Sequence, residues 1–125
     1  MTRFLIVALG AALGANARYL LGLWAANRFG ISFPYGTLIV NVAGSFLLGF
    51  VLAVTTERLS LSTETRLLLI VGFFGSFTTF SSYAVESLVL LRASGWWSAL
   101  LNVVGNNLLS LIAALLGTLL ARLVG

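Results

Sequence analysis

The chain contains no cysteine, no histidine, no lysine and no aspartate, and only one proline. Without thiols there is no disulfide, no thiolate metal ligand and no cysteine nucleophile, and the redox compartment leaves no mark on the sequence. Without imidazole the commonest metal ligand and general base is missing, and triads of the Ser-His-Asp kind are excluded. Charge of either sign is scarce: 8% of the 125 residues are charged, all of them arginine or glutamate, for a net charge of +4. Soluble globular domains carry about a quarter charged residues. So little ionisable chemistry argues against an enzyme.

Hydrocarbon fills the space instead. Hydrophobic residues make up 60% of the chain, and a mean hydropathy of +1.10 places it in lipid. Apolar runs occupy roughly residues 4 to 26, 36 to 56, 67 to 91 and 98 to 121. Each meets the roughly 20 residues that a helix needs to cross about 30 Å of hydrocarbon. The fold class is therefore all-α and integral to a membrane, with four transmembrane helices in a single domain over residues 1 to 125. Short polar pieces join them: Asn27 to Tyr35, Glu57 to Arg66, and Arg92 to Trp97. Arg3, the apolar stretch behind it and Ala15-Asn16-Ala17 imitate a secretory signal with its cleavage site. Apolar sequence resumes after Arg18 with Tyr19 to Trp24, which continues a span rather than opening a mature domain.

The arginines stand singly between apolar runs, as anchors at membrane ends, so membrane lipids are implied as surroundings and neither nucleic acid nor a soluble protein partner is. Trp24, Trp96 and Trp97 near span ends fit an interfacial belt. Arg3, Arg58, Arg66 and Arg122 fall on one side of the membrane, against Arg28 and Arg92 on the other. That bias is weak under the positive-inside rule, so two readings stand: insertion in both orientations, or one face winning in every copy.

A helix that only anchors needs leucine, alanine and valine, so the informative residues are the polar ones at mid-span depth. In the fourth span Asn102, Asn106 and Ser110 recur every four residues and form one stripe. The stripe serves either as interhelical glue, worth about 0.6 to 2 kcal/mol per hydrogen bond, or as the lining of a pore. Asn41 in the second span, among Gly36, Gly44 and Gly49, is either a structural amide bridging to a neighbouring helix or a donor facing a path. In the third span Gly75-Ser76-Phe77-Thr78-Thr79-Phe80-Ser81-Ser82-Tyr83 concentrates poor helix formers at the centre of an apolar run. A helix break fits that composition, and so does an unbroken helix whose hydroxyls bond back to the preceding turn. Phe73, Phe77, Phe80 and Tyr83 follow at spacings that keep them near one face, either as core packing or with their partly positive ring edges set beside a narrow path for a small anion. Glu86 is the one carboxylate inside a span, either functional or reaching for the interface, and Arg18 is similarly deep in the first span.

The residues Gly14 to Tyr19, Gly36 to Asn41 with Gly44, Gly72 to Ser81, and the Asn102, Asn106, Ser110 spacing together resemble the Fluc family of fluoride channels, over essentially the whole chain. The resemblance implies an antiparallel homodimer with a broken third helix, two narrow fluoride pathways, and one structural sodium ion at the dimer centre. It implies that main-chain carbonyls of Gly75 and Thr78 hold the sodium, and that Asn41 and Phe80 line the pathway. Tyr83 stands where the family has a second phenylalanine; its ring edge can still serve, and its hydroxyl adds a donor and an acceptor. Thr79, Ser81 and Ser82 match hydroxyl positions beside the aromatic pair. On the fourth helix the family often begins its polar track with tyrosine and continues with serine, where this chain has Asn102 and Asn106 before Ser110. Arg18, Thr37 and Glu86 are carried as polar positions of structural or functional weight.

The function implied is passive export of toxic cytoplasmic fluoride, in the inner membrane of a bacterium. The alternative is a proton-coupled exporter resembling the small multidrug-resistance proteins. Those depend on a first-helix glutamate, and here that helix carries Arg18 and no carboxylate. A non-conducting membrane subunit explains the hydrophobicity but not three separate polar tracks.

Overall fold

The computed structural model describes residues 1–124, all helix and short connections. Helix α1 runs over Thr2–Phe29 and α2 over Tyr35–Glu57. Helix α3 covers Thr63–Ala93 and α4 covers Trp96–Leu123. Each of the four is long and apolar enough to cross a membrane. The apolar runs read from the sequence fall inside these helices, whose ends extend into the polar flanks. Helix α1 passes unbroken through Ala15-Asn16-Ala17, so the stretch that imitates a cleavage site is helical in the structure.

Local chemistry sets the ends. Gly30 closes α1 with φ of 83°, a conformation that glycine adopts without a Cβ penalty. Pro34 precedes α2, where its missing N–H is no loss. The Ser62 hydroxyl accepts the Thr65 N–H at 3.1 Å and caps α3. Gly95, with φ of 88°, makes the tight turn between α3 and α4.

Helices α3 and α4 are not uniform. In α3 a helical turn at Thr63–Arg66 passes into a π-helical stretch at Leu67–Phe74 and then Gly75–Phe77. Thr78 (φ −83°, ψ 160°) and Thr79 (φ −153°, ψ 121°) are extended, and helix resumes at Phe80–Ala93. In α4, Trp96–Val104 and Ser110–Leu123 flank a π-helical segment at Gly105–Leu109. Such segments leave the ordinary i→i−4 register and are frequent at functional sites.

Between apolar helices in lipid there is no hydrophobic drive, so close backbone approach supplies the packing. Helix α1 lies against the first half of α3, with Gly10 facing Gly72 and Gly14 seated on the Phe73 carbonyl. Helix α2 lies against α4, with Gly49 on the Ala114 backbone and Gly117 on the Phe46 backbone. A Cβ at Gly14 or Gly117 would overlap those carbonyl oxygens, and backbone cannot swing aside as a side chain can. The second half of α3 packs on the first half of α4. Ala25, Val40, Phe74, Phe77 and Leu90 are buried between helices, and so are the polar Thr79, Ser87, Asn102 and Asn106.

Candidate functional site

The extended pair Thr78-Thr79 is held from α2. Asn41 Nδ2 donates to the Thr79 carbonyl at 2.9 Å, and the Thr79 N–H donates to Asn41 Oδ1 at 2.8 Å. The Thr79 hydroxyl accepts the Ser82 N–H at 3.2 Å, capping the resumed helix, and donates to Ser82 Oγ at 3.0 Å. Ser81 lies exposed beside them, its Oγ at 3.5 Å from Thr79 Oγ1.

These bonds have a consequence for carbonyls. In a continuous α-helix the Thr79 N–H would serve the Gly75 carbonyl and the Ser82 N–H would serve the Thr78 carbonyl. Here both donors are diverted, to Asn41 and to Thr79 Oγ1. The Gly75 and Thr78 oxygens are thus released from the helical ladder, as main-chain oxygens that hold a hard monovalent cation must be. The Arg18 guanidinium reaches the Thr78 carbonyl from α1 at 3.5 Å. Among the described residues no cluster of three His, Cys, Asp or Glu side chains forms, so neutral oxygens are the ligands on offer. The two released main-chain oxygens are of the donor type that a hard cation such as sodium takes.

A directed line of hydrogen bonds leads away from Asn41. Asn41 Nδ2 donates to Asn106 Oδ1 at 2.8 Å, and Asn106 Nδ2 donates to Asn102 Oδ1 at 3.0 Å. Asn102 Nδ2 donates to Ser87 Oγ at 2.9 Å, and Ser87 Oγ donates to the Tyr83 carbonyl at 2.7 Å. Asn102 is 0% exposed and Asn106 4%. Both N–H groups of Asn41 are committed, one to the Thr79 carbonyl and one to Asn106.

Beside this network an open groove of about 320 Å³ brings together Asn41, Thr78, Thr79, Phe80, Tyr83, Asn106 and Ser110. Phe80 and Tyr83 meet edge to face, with ring centroids 4.9 Å apart and planes at 84°. Phe80 is 73% exposed on the protomer, so its ring is not core packing. The Ser110 hydroxyl is buried without a partner. Asn102, Ser81 and Ser82 do not line the groove. The aromatic row divides: Phe73 stacks on Phe77 before the extended pair, and Phe80 meets Tyr83 after it, because the two extended residues reset the helical register.

Thr37 and Glu86 meet elsewhere. The Thr37 hydroxyl donates to Glu86 Oε1 at 2.8 Å, while Glu86 Oε2 is buried without a partner. Both line a second cavity of about 400 Å³ near the α1–α2 connection, with Pro34 and Tyr35. Two polar groove residues escaped the sequence reading, Ser45 and Asn107. Ser45 lies one turn after Asn41 on α2, which was signal enough. Asn107 adjoins Asn106 and lines the groove with Ser110, three residues on.

The architecture and the polar groove define a multi-pass membrane protein whose mid-span polar groups converge on one site. Residues 5–118 match the family described as CrcB-like protein, Camphor Resistance (CrcB). A protein of Roseiflexus sp. (strain RS-1), named fluoride-specific ion channel FluC, is 53% identical over 93% of this chain and 94% of its own length. Proteins of the same name from Legionella pneumophila (strain Paris) and Chloroflexus aurantiacus (strain ATCC 29366 / DSM 635 / J-10-fl) are 49% and 46% identical. They cover 97% and 100% of this chain, and 90% and 99% of their own lengths. The chain belongs to the CrcB-like family.

Proposed function

We propose that the chain is a fluoride-selective channel that lets cytoplasmic fluoride leave a bacterial cell passively, without an enzymatic step. One observation carries the reading: Asn41, Thr79, the Phe80 and Tyr83 rings and Ser110 converge on a single groove beside an interruption in α3. The names of the relatives supply the ion.

Fluoride is small and strongly hydrated, so a selective path has to replace water with hydrogen-bond donors in a constriction. Hydroxyls and the positive edge of an aromatic ring do this without a fixed cation, and an ion held by neutral dipoles can still leave. Asn41 contacts the ion only by exchanging its bond to Asn106, which leaves its grip on Thr79 intact.

The functional unit in this proposal is an antiparallel homodimer, produced by insertion in both orientations. The third helix acts as a broken helix, with the released carbonyls of Gly75 and Thr78 from both copies meeting at the centre. Those oxygens would hold sodium, which would supply a positive charge where the two breaks meet. Thr79 and Asn41 keep the carbonyls out of helical bonding. Arg18 braces the same turn from α1.

The test is fluoride efflux from proteoliposomes, followed with a selective electrode. A channel dissipates a fluoride gradient with no proton gradient imposed. Efflux that requires a proton gradient would favour the coupled exporter, and no efflux at all a non-conducting subunit.

A further inference from the structure

Tyr83 and Asn107 form a pair that the stripe of Asn102, Asn106 and Ser110 does not contain. Asn107 Nδ2 lies 2.8 Å from the Val103 carbonyl and 3.0 Å from the Tyr83 hydroxyl. A carbonyl only accepts, so the Asn107 atom that faces it is the nitrogen, and its two hydrogens serve Val103 and Tyr83. The Tyr83 oxygen is therefore an acceptor toward Asn107, and its own proton must point elsewhere. Among the described residues no other side-chain hydrogen bond engages that hydroxyl.

Both residues line the groove that also holds the partnerless Ser110 hydroxyl. Two hydroxyl protons without a protein acceptor thus border one space. The Tyr83 hydroxyl lies on the exposed side of this pair, so its proton is open to an occupant of the groove, while the Ser110 hydroxyl is buried with its donor unmade, which is costly.

We propose that the Tyr83 O–H is an anion donor, aimed into the groove by Asn107 and acting beside the Ser110 hydroxyl. The inference rests on the fluoride reading and deepens it. A ring edge offers weakly positive C–H groups, whereas a phenol offers an O–H whose bond to an anion is charge-assisted. By donating to the phenol oxygen, Asn107 fixes the direction of the proton and polarises the O–H bond. Asn107 is a positioning residue; Tyr83 is the one that touches the ion.

The experiment measures efflux from proteoliposomes across a range of fluoride concentrations for wild type, Tyr83→Phe, Asn107→Leu and the double variant. Each single change should raise the fluoride concentration for half-maximal flux about tenfold, the scale of one hydrogen bond to a charged group. Maximal flux should change little, because the ring stays. The double variant should shift no further than Tyr83→Phe alone, since Asn107 acts only through the Tyr83 hydroxyl. Single variants with wild-type concentration dependence, or a double shift equal to the product of the two, would overturn the inference. Should Asn107→Leu aggregate, Asn107→Ala replaces it, and Tyr83→Phe alone stays decisive because it removes the hydroxyl and keeps the ring. Wild-type protein that moves no fluoride overturns the channel reading and this inference together. Wild-type flux with unresponsive variants overturns this inference alone.

Discussion

Asn41 grips the Thr79 peptide at both ends, its amide nitrogen on the carbonyl at 2.9 Å and its oxygen on the N–H at 2.8 Å. A side-chain amide has one donor end and one acceptor end, so it pairs with a peptide as another peptide would. Asn41 on α2 thereby takes over the hydrogen bonding that Thr79 would have found in a continuous helix. Asn41→Leu deletes both bonds and leaves the N–H and C=O of the buried Thr79 facing an apolar neighbour, at about 1 to 3 kcal/mol for each orphaned group. Fluoride flux should fall sharply and the thermal transition of the detergent-solubilised protein should drop with it. A variant with wild-type flux and wild-type melting would show that Thr79 does not depend on α2.

Phe80→Ile should behave differently. The ring is largely exposed on the protomer, so replacing it with a bulky aliphatic removes little packing and should leave folding and elution unchanged. The electropositive edge is lost, and fluoride flux should fall at least tenfold, corresponding to about 1.4 kcal/mol at the ion. Wild-type efflux rates from well-folded Phe80→Ile would remove the ring from the pathway.

Gly44 packs against the Thr78 methyl, which a Cβ at that position would overlap, and against the Phe77 ring, which it would meet at 3.1 Å. Gly44→Ala should therefore push the extended pair away from α2 and lower both stability and flux. Thr78→Ser removes the methyl and keeps the hydroxyl that bonds the Phe74 carbonyl at 3.0 Å. Adding it to Gly44→Ala should restore part of the loss, read as melting temperature and efflux in the same preparations. Equal damage in the single and double variants would place the strain at Phe77 instead.

Sodium removal tests the released carbonyls. With sodium exchanged rigorously for a large organic cation, flux should fall and recover on adding sodium back, whereas Thr78→Ser alone should matter less because the ligand is main chain. Undiminished flux without sodium would sink the structural-ion proposal.

Insertion is tested by charge. Two or three lysines added at one terminus should bias orientation and lower activity, with recovery when an oppositely biased copy is co-expressed. Accessibility labelling of a cysteine introduced at the C-terminal end, finding every copy on one side of the membrane, would end the antiparallel proposal.

The four helices were legible because hydrocarbon thickness sets a length that apolar runs must meet, and the runs meet it. Polar depth was legible too: Asn41 and Ser110 stood out by type and position, Phe80 came only with the family resemblance, and the structure brings the three to one groove. What each polar group bonds to was not legible. Asn102 and Ser110 share a stripe, yet Asn102 is sealed in the bundle on Ser87 while Ser110 faces the groove. A stripe gives direction from one helix axis and says nothing of the neighbour opposite. Asn107 was missed because the stripe of every fourth residue was followed alone, although Asn107 stands three residues before Ser110 on the same side of the helix. The partner of Glu86 was equally hidden, since Thr37 lies on another helix and no local spacing relates them.

The line from Asn41 through Asn106 and Asn102 to Ser87 crosses the bundle without becoming a wire for protons. Water chains and hydroxyl chains pass protons because each oxygen can hand one on and then turn. An asparagine amide donates only through nitrogen and accepts only through oxygen, so reversing the line would require each amide to rotate against its neighbours. Three consecutive amides therefore insulate as well as fasten.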